Sequence, residues 1–304
     1  MTDNSTLDWV AQKAQNTKKA DVSWVKNKWL DIPYASQSEA QKLDIYLPEE
    51  GGGPFPVILG IHGGAFAFGD KTDDEMEAHI KGLKHGFAVV SINYRLSGEA
   101  PFPAGSHDVK AAVRWIKANS DQYGLNPDKI ASWGGSAGGY YSAVLGTTSG
   151  LDFFEDKSMG NAEQPSNVHA SVAWFGAYDL VVLGEQFKES SVTPQIEQDP
   201  NDPTSHNSEF MGGALASIAR KVTEANPGNH ISRDTPPFLI QHGTADTVVP
   251  FKQSTDFTER MRSIVPADTE VTFEALEGQG HMGDGFYTDE NLTKVFAFLE
   301  RHLK

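Results

Sequence analysis

The sequence contains no cysteine, which removes disulfides, thiolate metal sites and a thiol nucleophile from consideration. It is also short of cations: 25 Lys and Arg face 41 Asp and Glu, for a formal charge of −16. A surface of that sign repels polyanions, so neither nucleic acid nor an anionic membrane is an expected partner. No apolar run reaches the roughly 18–20 residues of a membrane-spanning helix. The opening stretch MTDNSTLDWVAQKAQNTKKA lacks the basic-then-apolar order of a secretory leader, so a cytoplasmic protein is the default expectation. At 304 residues, 38% hydrophobic and 22% charged, the chain has the make-up of a globular domain near the upper limit for one core.

What is present is an alternation. PVILGIH (56–62) and FAVVSINY (87–94) are continuous apolar runs of strand length, as expected for strands covered on both faces. SHDVKAAVRWIKANSDQYG follows with Val109, Ala112, Val113 and Ile116 on one helical face, Ser106 or Asp108 as N-cap and Gly124 as stop. KIASW, ASVAWFG (170–176), PFLIQHG (237–243) and EVTFEAL (270–276) read as further strands. Phe257, Met261 and Ile264 mark a helix between the last two, and Leu292, Val295, Phe296, Leu299 and Leu303 a closing one. Strand and helix in turn imply βαβ crossovers and a mainly parallel sheet with helices on both faces. KNKWLDIPYA and QKLDIYLPEE form an N-terminal antiparallel hairpin leading into it. We therefore expect one domain over 1–304. Residues 1–23 read as a helical arm, and 180–233, too long for an ordinary connection, as a lid-like insertion.

The chemistry concentrates in KIASWGGSAGGYYSA (129–143), where Gly134, Gly135, Gly138 and Gly139 surround Ser136. The pattern G-x-S-x-G between a strand and a helix places a serine on a strained turn above a sheet, where crossing backbones leave no room for side chains. A serine hydroxyl needs a base, and the base a carboxylate that fixes its tautomer. Of the ten histidines, His281 lies in EGQGHMGDGF after the last strand, at the carboxyl end of the sheet where open α/β folds place reacting groups. His62 and His242, at strand ends, read as packed or loop-bracing side chains. HGTADTVVP offers Asp246 after the penultimate strand, with Asp179 after WFGAY as its competitor. A tetrahedral intermediate also needs hydrogen-bond donors. IHGGAFAFGDK (61–71) is an HGGG-type turn, so the N–H groups of Gly63, Gly64 and Ala65 would join that of Ala137 in an oxyanion hole.

These residues resemble the α/β-hydrolase superfamily, specifically bacterial esterases related to hormone-sensitive lipase and the BD-FAE-like group. The resemblance runs from about Lys42 to the C-terminus through HGGAF, INYRLS, DVKAAVRWIKANSDQYGLNPDKIASWGGSAGGY, PPFLIQHGTADTVVP and GQGHMGDGF. It implies an α/β-hydrolase fold, with Ser136 as nucleophile, Asp246 as orienting acid, His281 as base, and the HGGA turn with Ala137 as oxyanion hole. Ala65 stands where a third glycine is commoner. It also implies hydrolysis of short-chain or small aromatic acyl esters, including acetylated or feruloylated carbohydrate.

No metal or organic cofactor is needed for such a reaction. Activity should fall as pH drops below about 6.5, the ordinary value for an imidazole. Phe66, Tyr140 and Tyr178 are candidates for binding the substrate, with Phe68, Phe175 and Phe286 also near strand ends. The expected partner is a small-molecule ester, the assembly a monomer or homodimer. A formamidase or an acyl-peptide-type serine peptidase would use the same machinery. A non-catalytic ligand-binding homologue would tend to have lost a member of the triad, and all three are present.

Overall fold

The structure, a computed structural model, describes residues 15–196 and 198–304. Eight strands form one sheet: β1 (Lys28–Pro33), β2 (Lys42–Tyr46), β3 (Phe55–Ile61), β4 (Ala88–Ile92), β5 (Leu125–Gly135), β6 (Ala170–Trp174), β7 (Phe238–Gly243) and β8 (Val271–Leu276). Their spatial order is β1-β2-β4-β3-β5-β6-β7-β8. The β1–β2 and β2–β4 pairs are antiparallel and every later pair is parallel. This is the mainly parallel α/β-hydrolase arrangement with its N-terminal hairpin.

The apolar runs are continuous because both faces of the sheet are covered. Val57, Leu59 and Ile61 of β3 join one core cluster with helices α2 (Ala104–Ala118) and α3 (Ala137–Thr147). Ile58 of β3, with Ala131, Trp133, Val172 and Trp174, packs on the other face against α1 (Met76–Ile80) and α5 (Asp289–Leu303). The helix α4 (Lys252–Ile264) covers the β7 end through Phe257 and Met261.

Several expectations need correction. Helix α2 begins at Ala104 after Pro103 and has no side-chain cap. Ser106 and Asp108 lie inside it, where Asp108 is buried and accepts from the Arg95 guanidinium, the Arg95 N–H and Gln41. The arginine's grip on this buried carboxylate outcompetes the local capping role. Gly124 does end the short helical turn Ser120–Tyr123, with φ 65°. Of the helical arm expected over 1–23, residues 1–14 lie outside the described residues; only 15–16 are helical among the rest. Lys19 instead bridges to Asp73, its ammonium 2.9 Å from that carboxylate and 3.3 Å from Asp70.

The stretch 180–233 carries short helices over Leu183–Glu189, His206–Met211 and Ala219–Ala225. Phe210, Met211 and Leu215 are buried in the main core cluster. The Phe210 ring stacks on Phe66 with centroids 3.8 Å apart.

Candidate active site

The sheet order changes direction around β3, with β4 on one side and β5 on the other, and loops leaving the carboxyl ends of adjacent strands meet there. Ser136 follows β5 directly and holds φ 55°, ψ −118°, a conformation a serine keeps only when its surroundings enforce it. The enforcing contacts are visible. The Ser136 N–H donates to the Trp174 carbonyl at 3.0 Å. A Cβ on Gly138 would overlap the Ile61 carbonyl oxygen, and one on Gly134 would stand 2.5 Å from that oxygen. The glycines of the motif are therefore there because α3 crosses β3 and β5 at backbone contact.

β7 and β8 are neighbours, so the loops after them are too. His281 Nε2 lies 3.0 Å from Ser136 Oγ, and its Nδ1 lies 2.7 Å from Asp246 Oδ2. Asp246 Oδ1 accepts the N–H groups of Val248 and Val249 at 2.8 and 2.9 Å. Burial alone would raise the Asp246 carboxyl. The His281 ring and the hydrogen bonds from His242 and His281 outweigh it and hold the group well below the usual carboxylate range. The expected serine, histidine and carboxylate thus form one connected line. Asp179 is not part of it; its Oδ1 accepts the Val181 N–H at 3.2 Å, a turn contact.

The HGGA turn lies beside Ser136. Gly64, Ala65 and Phe66 have φ of 113°, 51° and 63°, three left-handed residues in succession. Gly64 is required because a Cβ there would overlap the Phe68 carbonyl. Among the described residues no hydrogen bond occupies the N–H of Gly64, Ala65 or Ala137. Gly63 departs from expectation: its N–H donates to Glu75 Oε2 at 2.7 Å and is not free to serve an oxyanion. Glu75 belongs to no motif and escaped the sequence reading.

Two cavities open at Ser136. A wide cleft of about 460 Å³ is lined by Gly64, Glu75, His281, Gln195 and Thr247, among others. A recess of about 60 Å³ is lined by Ala65, Phe66, Ala137, Leu183, Ile196, His206 and Val248. Of the aromatic candidates, Phe66 lines the recess and Phe68 the cleft.

Tyr140 and Tyr178 line neither cavity. Tyr140 is buried with its hydroxyl donating to the Ala225 carbonyl at 2.8 Å, because the first turn of α3 points it under the insertion. Tyr178 is buried and stacked on Phe257, centroids 4.2 Å apart. Phe175 is buried with its ring against His281, and Phe286 packs behind Phe175. His62 is buried, stacked on Tyr94, with Nδ1 2.7 Å from the Gly63 carbonyl.

A family model described as BD-FAE matches residues 43–261. The chain belongs to the BD-FAE family. This BD-FAE chain is 32% identical over 238 residues to the probable carboxylic ester hydrolase LipM of Mycobacterium tuberculosis, across 77% of the chain but 52% of LipM. It therefore spans about half the length of that curated relative. A solved structure described as a truncated form of a carbohydrate esterase from gut microbiota superposes with a TM-score of 0.82 at 30% identity, covering 94% of this chain and 99% of that one. A bifunctional GH43-CE protein of Bacteroides eggerthii gives 0.81 at 32% identity, covering 91% of this chain and 35% of its own. Among the described residues no helix is long and apolar enough to cross a membrane.

Proposed function

We propose that the protein is a serine carboxylesterase that hydrolyses esters of small acyl groups through an acyl-enzyme. The observation that carries this is the unbroken hydrogen-bonded line Ser136–His281–Asp246. His281 accepts the Ser136 proton as Oγ attacks the ester carbonyl, while Asp246 holds the ring and offsets its positive charge. The developing oxyanion meets the N–H groups of Ala137, Ala65 and Gly64; such donors are worth about 2.7–4 kcal/mol each to the barrier. His281 then returns the proton to the leaving alcohol, and water repeats the sequence on the acyl-enzyme.

The two cavities divide the substrate. The recess adjoins the oxyanion donors, where the acyl chain must lie, and it is small beside the cleft, about 60 Å³ against about 460 Å³. Its size favours a short acyl group such as acetyl over a feruloyl group. The wide cleft contains His281, from which the leaving alcohol must take its proton, and is lined by Asp73, Asp74, Gln195 and Thr247. Those polar side chains, set among apolar ones such as Phe68 and Val248, offer partners to the hydroxyls of an alcohol such as an acetylated carbohydrate. The carbohydrate esterase described above has a related chain, which supports this reading of the alcohol side.

The test is covalent labelling by a fluorophosphonate together with hydrolysis of nitrophenyl acetate. Both are expected in the wild type and absent in Ser136→Ala. Persistent labelling of that variant, or cleavage of aminoacyl anilides in preference to esters, would replace the reading by another nucleophile or by a peptidase.

A further inference from the structure

The carboxylate of Glu75, the residue before α1, joins two loops of the site. Its Oε2 accepts the Gly63 N–H at 2.7 Å. A Cβ on Gly63 would stand 2.8 Å from Oε1, and one on Gly135 would stand 3.8 Å from it. The carboxylate therefore fills the gap between the peptide that leads into Gly64–Ala65 and the peptide that leads into Ser136. It also lines the cleft that Ser136 and His281 line. The carbonyl of Gly63 is held as well, 2.7 Å from His62 Nδ1. Beyond this anchored residue come the three left-handed residues Gly64, Ala65 and Phe66. Such a run, unfavourable for alanine and phenylalanine, persists only when its neighbours over-determine it.

We infer that Glu75 is a positioning residue for ester hydrolysis: by gripping the Gly63 amide, its carboxylate keeps the N–H groups of Gly64 and Ala65 aimed at the substrate carbonyl oxygen. The inference rests on the serine esterase reading. An ionised carboxylate is the stronger acceptor, so the grip depends on charge. Facing Glu75 are Asp73 and Asp74 on its own loop, Tyr94 after β4 and Tyr287 ahead of α5. Lys81 and Asp284 line the adjoining groove, and His281 the shared cleft. Burial, opposed by the Gly63 hydrogen bond and reinforced by Asp73 and Asp74, pushes the carboxyl up to about 7. Acidification through neutrality accordingly weakens the grip.

The experiment reads an amide signal and a rate. In ¹⁵N-labelled protein the Gly63 amide proton is expected to titrate with a midpoint near that of Glu75 and to stop titrating in Glu75→Gln. An amide that ignores pH overturns the inference, whether or not the protein hydrolyses esters. With nitrophenyl acetate, Glu75→Ala is expected to lower kcat roughly 10–100-fold, less than the 10²–10³-fold of losing a donor outright, with KM nearly unchanged. Glu75→Gln, whose amide oxygen still accepts from Gly63, restores most of kcat at high pH and removes one ionisation from the acid limb. An acid limb unchanged in Glu75→Gln overturns the inference, and that variant carries the test alone if Glu75→Ala does not fold. A wild type that neither hydrolyses the ester nor labels with the fluorophosphonate removes the esterase reading, while the amide titration still reports the Glu75–Gly63 contact.

Discussion

His242 Nε2 lies 3.1 Å from Asp246 Oδ2, the same oxygen that meets His281 Nδ1 at 2.7 Å. His242 Nε2 is also 3.1 Å from the Val249 carbonyl, so that nitrogen faces two acceptors and carries the proton. Its Nδ1 then accepts from Ser254 Oγ at 2.7 Å. The ring is thus fixed as a second donor to the carboxylate that hydrogen-bonds His281.

Replacing this histidine should therefore loosen the acid without touching the substrate. A hydrogen bond to a charged group is worth about 1.5–3 kcal/mol. His242→Leu is expected to lose that much stability in urea unfolding and to lower kcat several-fold with KM unchanged. Wild-type stability and rate in this variant would show that Asp246 needs only its two backbone donors and His281.

Gly138 gives a prediction about folding. A Cβ there overlaps the Ile61 carbonyl oxygen and stands 2.9 Å from that of His62. The Ile61 oxygen cannot retreat, because β3 is paired on both sides at Ile61. Gly138→Ala should cost about 1–3 kcal/mol, the usual range for overpacking, read as a lower melting temperature. A variant as stable as the wild type would mean that α3 can lift off β3.

These two cases show why parts of the site could be read from the sequence. Ser136, Asp246 and His281 each lie a few residues beyond an apolar strand, and the chain order of the strands decides which loops are neighbours. The antiparallel hairpin and the helix faces were legible for a similar reason, since hydrophobic period follows from which side is covered. Glu75 has no such signature: its tie to the site is a hydrogen bond across 12 residues of sequence, made from inside an ordinary acidic stretch. Gly63 was misassigned because a peptide N–H carries no mark of the acceptor it will find. Tyr140 and Tyr178 were misplaced because nearness to a strand end does not fix the direction of a ring. Asp108 was read as a cap because the Arg95 that claims it is supplied by the loop after β4.

Glu75 also predicts a trade between stability and rate. Its folded pKa, about 7, lies above the ordinary value near 4.3. A group raised in this way contributes fully below the unfolded pKa, and that contribution is lost as pH rises through the folded one. Glu75→Gln should therefore match the wild type in acid and become more stable than it above neutrality, by on the order of 1–3 kcal/mol. Urea unfolding at two pH values decides this. Equal stability at both would mean that the carboxyl is well solvated when ionised.

The recess beside Ser136 predicts the acyl preference. Its apolar wall comes from Phe66, Leu183, Ile196 and Val248, and Ile196 belongs to the insertion. His206, which also lines the recess, is buried with no hydrogen-bond partner on either ring nitrogen among the described residues. Glu209 Oε2 is 3.7 Å from His206 Nδ1. Each methylene that a closed pocket must accommodate or refuse is worth about 1–3 kcal/mol, or 10–200-fold in kcat/KM. Along a series of nitrophenyl esters, kcat/KM should fall at least tenfold from acetyl to butyryl and further for hexanoyl. Ile196→Ala enlarges the recess through a residue of the insertion and should raise butyryl turnover while leaving acetyl turnover within a few-fold. If hexanoyl esters are hydrolysed as fast as acetyl by the wild type, the insertion must swing away from Ser136 during turnover, and the recess does not set the limit on acyl length.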